Sequence, residues 1–214
     1  MEYKTINTKG IQYLDTVPGT DKWYWGMDYT SGDLYEAEEL FNDGHKIKRN
    51  RMVLVSYPDG EVREPVKAEE GQYFGNCVFT EGRIFLLLVD FNVRKIMIFR
   101  CSEDCGSAEI YVEIPLDEAK DCYNLMLHIE PLTLTRQGRE DRFQVIWPDK
   151  SDFEMDVTET LDSREGDVLI FTRWFEDPDY REETVIRRYP TGEVLENIDG
   201  NFIRMPDGCG WILK

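Results

Sequence analysis

The chain reads as an all-β, repeat-built protein, a propeller of five compact blades, and three observations carry that expectation. The first is a near-copy: YPDGEVREPV at positions 57–66 returns as YPTGEVLENI at 189–198. The second is a series of turn signals, Pro58-Asp59-Gly60, residues 103–106, Pro148-Asp149-Lys150 and Pro190-Thr191-Gly192, whose centres at 59, 104, 149 and 191 stand 45, 45 and 42 residues apart. The third is what fills the intervals, short β-branched and aromatic runs bounded by Gly, Pro and Asp. Such runs are strands joined by tight turns.

Each element follows from that frame. The openings Gly32-Asp33-Leu34, Gly82-Arg83-Ile84, Gly166-Asp167-Val168 and Gly208-Cys209-Gly210 each precede a run of strand character, and a degenerate opening near Asp121 makes five. Four later turns serve five openings, so the missing fifth is sought at the N-terminus, where residues 3–8 and 11–17 flank Lys9-Gly10. Pairing that hairpin with residues 201–213 would close the ring and leave only short, protected edges. Units of about 43–45 residues suit a four-stranded blade, and residues 1–214 are expected to form a single domain. A four-bladed propeller or an irregular β-barrel is the alternative.

One segment conflicts with the frame. Residues 33–41, DLYEAEELF, begin with an acid followed three residues on by Glu36 and close on Asn42-Asp43-Gly44, all helix signals. The frame sets this stretch opposite DVLIFTRWF at 167–175 and makes it a strand, since tertiary context overrides propensity.

Composition narrows the function. With 41% hydrophobic and 13% aromatic residues the chain can build a core, while 32% charged residues and a longest apolar run of only residues 84–89 point away from the membrane. The first residues carry no basic start or apolar stretch of a secretory leader. Five cysteines at irregular spacing, Cys77, Cys101, Cys105, Cys122 and Cys209, suit reduced thiols better than a disulfide framework. A cytoplasmic location is therefore expected. The net charge of -18 repels nucleic acid, whose affinity comes from cations that displace condensed counterions. The one basic cluster, His45, Lys46, Lys48, Arg49 and Arg51, has no interleaved aromatics for bases to stack on.

Motifs of known chemistry are missing. There is no nucleophile elbow, phosphate-binding loop or dinucleotide fingerprint, and the two histidines, His45 and His128, read as a loop residue and a strand residue. Zinc would need a second cysteine pair beside Cys101 and Cys105, and no calcium loop occurs. Neither a metal nor another cofactor is expected. Asp28, Asp90 and Glu130 stand in aromatic or apolar strand contexts. If inner strand ends bring them together, they are the catalytic candidates, because paired carboxylates about 5–9.5 Å apart carry out glycoside hydrolysis.

The aromatic residues weigh more. Trp23 and Trp25 share one face of a strand and Tyr24 takes the other; Tyr29, Tyr73 and Trp174 complete the candidate ligand-binding set. Their flat faces with a polar handle suit sugar rings or anchors in protein interfaces. The expected function is a non-catalytic binding module for a protein, small-molecule or glycan ligand; a small glycoside hydrolase-like enzyme is the alternative. The thick coat of like charge favours a monomer over a homodimer formed through one propeller face.

Overall fold

The computed structural model describes residues 3–205 and 209–214. Among the described residues the protein is all-β apart from one α-helix and one short 3-10 turn, and its antiparallel sheets make the four-bladed β-propeller fold. Contacts divide the chain into two compact units, Met1–Ile129 and Glu130–Lys214.

In the first unit, β1 (Asp15–Thr16), β2 (Trp23–Met27), β3 (Met52–Ser56) and β4 (Val62–Arg63) form the first sheet, with α1 (Leu34–Asn42) inserted between β2 and β3. The second sheet is β5 (Gln72–Thr80), β6 (Arg83–Asp90), β7 (Lys95–Cys101) and β8 (Ala108–Pro115). The third has the order β9 (Met126–His128), β10 (Thr133–Gly138), β11 (Arg142–Trp147) and β12 (Ser151–Glu154), of which β10 to β12 belong to the second unit. In the second unit β13 (Glu159–Glu165), β14 (Val168–Phe175), β15 (Arg181–Arg188) and β16 (Val194–Asp199) form the fourth. Each sheet is a sequential meander, and burial falls along it: β6 is buried almost throughout while β8 and β16 are mostly exposed.

The blade count is therefore four, as the alternative had it, and not five. The four periodic turns are the links between the third and fourth strands of the four sheets, one per blade. The near-copies are equivalent there bond for bond. Gly60 N–H donates to Ser56 O (2.7 Å) and Ser56 N–H to Glu61 O (3.0 Å); Gly192 N–H donates to Arg188 O (2.8 Å) and Arg188 N–H to Glu193 O (2.8 Å). Both glycines have positive φ, +67° and +73°, a conformation that costs glycine nothing and other residues strain.

The openings misled because they are not equivalent. Gly82 and Gly166 do link first to second strands, but Gly32 precedes α1, Asp121 lies in a loop, and Gly208 lies outside the described residues. Nor, among the described residues, do the chain ends supply the strands of a fifth blade. β17 (Asn201–Arg204) and β18 (Gly210–Leu213) pair with each other as a separate hairpin, and residues 3–14 carry no strand. That N-terminal segment instead packs on the first sheet, with Ile11 against Val53 and Val55. A Cβ on Gly26 would lie 2.4 Å from Tyr13 O. The chain length that a fifth blade would need is taken up by this segment, by α1 and by the connections at 64–71 and 116–125.

Residues 33–41 are helix, not strand. Asp33 accepts from Glu36 N–H and Glu36 accepts from Asp33 N–H, both at 2.8 Å, a reciprocal capping box that satisfies donors a helix start leaves free. Because α1 is an insertion between strands, no blade position competed with its local preference.

Each unit has its own core. In the first, Met52, Leu54, Phe74, Leu86 and Leu88 pack with Trp23 and Trp25 against them; in the second, Phe143, Phe153 and Phe171 meet at centroid distances of 5.2–6.4 Å. Burying each such ring is worth about 1.5–3 kcal/mol. Among the described residues no helix is long and apolar enough to cross a membrane.

Candidate functional site

Alternation along β2 sets Trp23, Trp25 and Met27 on one face, and that face meets the start of α1. Between them, the middle of β5 and the loop before β9, the first unit holds a cleft of about 230 Å³. Trp25, Met27, Tyr29, Tyr35, Phe74 and Met126 line it. Tyr29 and Met126 are 61% and 41% exposed, so the cleft has an apolar rim open to solvent.

Its walls are held by polar side chains turned inward to the backbone. Asn76 is bonded twice to Leu127, donating to its carbonyl (2.9 Å) and accepting from its N–H (2.8 Å). Glu38 of α1 accepts from Cys122 N–H at 2.6 Å, and burial raises its pKa above the usual carboxylate range. Tyr35 packs edge-on against Tyr123 at 5.2 Å. These contacts hold residues 122–127, of which Cys122, Asn124, Leu125 and Met126 line the cleft.

Of the predicted ligand-binding residues, the structure brings Trp25 and Tyr29 into this one cleft. Tyr73 lies wholly buried, its hydroxyl donating to Gly32 O (2.6 Å) and accepting from Ser31 N–H (3.0 Å), so it braces the turn that opens α1. Trp23 packs half-buried on the core, and Trp174 stands on β14 in the second unit. Sequence reasoning missed Tyr35, Met27 and Met126. The signal for Tyr35 was present in the capping box, which the repeat frame overrode.

The catalytic candidates have separate structural partners. Asp28 accepts from Arg51 N–H at 2.5 Å, Asp90 from the Gln72 amide (2.8 Å) and Val93 N–H (3.1 Å), and Glu130 pairs with Arg204. None of the three lines the aromatic cleft. His128 is half-buried, and burial lowers its pKa to about 4; His45 is exposed in its loop. Among the described residues no cluster of three His, Cys, Asp or Glu could hold a metal ion.

A second cleft, of about 680 Å³, lies in the second unit and is polar. Its floor is Glu159, fully buried and gripped by Arg187, with Arg173 tied to Glu183 at 2.6 Å. Asp141, Glu154 and Asp156 form its acidic rim. The Asp156 pKa is lowered, chiefly by the Thr158 N–H it accepts. Glu159 and Arg187 satisfy each other, while the Nε of Arg173 is buried without a hydrogen-bond partner among the described residues.

No family model matches the chain, and no curated protein matches it in sequence.

Proposed function

We propose that the protein is a non-catalytic interaction module whose aromatic cleft seats one apolar side chain of a basic partner protein. The observation that carries this reading is the lining itself: one tryptophan, two tyrosines and two methionines around a small cleft with exposed Tyr29 and Met126 at its edge. Tyrosine and tryptophan dominate interface hot spots, and methionine adapts to irregular partners.

Size and polarity choose the ligand. About 230 Å³ is below the 300–1,000 Å³ typical of small-molecule sites, so the cleft admits a single ring or aliphatic chain. A sugar would need free polar groups around that ring. Here the Asn76 amide is occupied by Leu127 and Asp33 by the helix start, which leaves the Asn124 amide as the one lining side-chain amide not so engaged among the described residues. The net charge of -18 would steer a basic partner and repel an acidic one.

The test is a titration of the 15N-labelled protein with N-acetyl-phenylalaninamide and, separately, with methyl glucosides. Shifts of the Trp25 indole with the aromatic amide, lost in Tyr29→Ala, support the proposal. Shifts with the glucosides alone would replace a protein partner by a glycan. No response to either removes the cleft as a binding site.

A further inference from the structure

The aromatic cleft of the first unit carries a charge pattern that an apolar seat does not require. Four rings reach it from four places in the fold, Trp25 on β2, Tyr29 in the loop after β2, Tyr35 on α1 and Phe74 on β5. Its lining holds one charged side chain among the described residues, the Asp33 carboxylate, and no lysine, arginine or histidine. Asp33 Oδ1 accepts from Glu36 N–H and Glu36 Oε2 from Asp33 N–H, both at 2.8 Å. Among the described residues neither carboxylate is paired with a cation. The two negative charges outweigh the partial positive charge, about half a unit, that a helix start presents. The ring-lined cleft therefore opens beside a net negative edge.

We propose that the side chain seated in this cleft is a lysine of the partner protein bearing three methyl groups on its Nζ. The proposal rests on the reading of the cleft as a seat for a partner side chain, and names that side chain. A quaternary ammonium is attracted to the negative faces of aromatic rings, tryptophan and tyrosine above all, and needs no hydrogen bond to be held there. An unmodified lysine head brings three N–H donors to satisfy. In the cleft the Asn76 amide is already bonded to Leu127 and Asp33 Oδ1 to the helix start. The methylated head has no donor to leave unpaired, and its charge is balanced by the Asp33 carboxylate at the edge.

Size and rim set the source of the ammonium. A space of about 230 Å³ takes one headgroup and little more. The exposed Tyr29 and Met126 at its edge extend the apolar contact to the methylene stem of a lysine, which free choline lacks. The net charge of -18 draws a cation carried on a basic chain and repels a betaine, whose carboxylate travels with its ammonium. No bond is made or broken in the cleft. The protein reads a methylation that a methyltransferase has placed on its partner.

A ligand series on the full 15N-labelled chain tests this, read at the Trp25 indole. The probes are N-acetyl-trimethyllysine amide, its neutral isostere with a tert-butyl group in place of the trimethylammonium, N-acetyl-lysine amide, and choline. The trimethyllysine amide should bind at least about 10-fold more tightly than each of the other three, a gap of about 1.4 kcal/mol. Equal binding of the neutral isostere or of plain lysine would overturn the proposal and leave the cleft an ordinary seat for a partner side chain. So would shifts with N-acetyl-phenylalaninamide and none with the trimethyllysine amide, whereas silence toward both removes the parent reading as well. Choline binding as tightly as the amide would replace the protein partner by a small quaternary amine. Two variants that keep the fold isolate the charge: Tyr29 is exposed, so Tyr29→Leu retains bulk without the ring, and Asp33→Asn retains the cap without the carboxylate. Each should weaken the trimethyllysine amide several-fold and leave the isostere unchanged; equal loss of both ligands would overturn the assignment of a cation.

Discussion

Arg187 holds Glu159 with two hydrogen bonds of 2.8 Å, from Nε and Nη2 to the two carboxylate oxygens, and Glu159 is fully buried. The remaining nitrogen of Arg187 donates to Gly192 O at 2.7 Å. This ties β13 to β15 and to the turn of the second YPxGEV copy. Losing one partner strands the other charge away from water, which costs about 3–5 kcal/mol. Arg187→Met should lower the urea-unfolding free energy by about that amount. Replacing both residues with apolar ones of similar size should recover most of the loss.

The capping box makes a smaller claim. Asp33→Ala removes the acceptor for Glu36 N–H and should cost about 1 kcal/mol, read as a lower melting temperature. Asp33→Asn should cost less, because asparagine also caps.

His128 gives a pH dependence of fixed sign. Burial lowers its pKa from 6.5 to about 4, so between those values the unfolded chain binds the proton and the folded one does not. Stability from this residue is complete above pH 6.5 and is lost as pH falls toward 4, to a limit of about 3 kcal/mol. Melting curves from pH 7.5 down to pH 4.5 should show this slope, and His128→Asn should flatten it.

Two glycines with the same backbone sign should respond differently. A Cβ at Gly166 (φ +59°) meets open space, while one at Gly192 (φ +73°) lies 2.2 Å from Phe153 Cγ. Gly166→Ala should cost about 1–2 kcal/mol for the left-handed conformation alone. Gly192→Ala should add about 1–3 kcal/mol of overpacking, and thermal melts of the pair separate the two terms.

Glu38 should behave in the opposite way to a capping residue. Burial raises its pKa although Cys122 N–H bonds it, so the charged form is held at a cost. Glu38→Gln keeps an acceptor and drops the charge; at pH 7 it should melt at the same temperature as the wild type or higher, whereas Glu38→Ala, leaving Cys122 N–H unpaired, should melt lower.

Much of the fold was legible because local chemistry writes it. The turns at 58–60, 148–150 and 190–192 were found from Pro, Asp and Gly alone, and each joins the third and fourth strands of a blade. The start of α1 was equally plain in Asp33 and Glu36, and was lost only by extending the repeat frame over an insertion. Trp25 and Tyr29 were picked out as aromatic residues near one another in sequence. Tyr35 and Met126 were not, since they reach the same cleft from a helix and a distant loop.

The sequence by itself determined the strand and turn content, the helix start, the charge and the repeat that equates residues 57–66 with 189–198, because backbone preference, side-chain caps and alternation act within a few residues. Only the tertiary structure decided that the blades number four, that Tyr73 braces a turn while Trp25 lines a cleft, and that Glu159 is buried with Arg187 28 residues away. Those outcomes depend on which faces of separate elements pack together and which charges they bury. Spacing along the chain carries no measure of either.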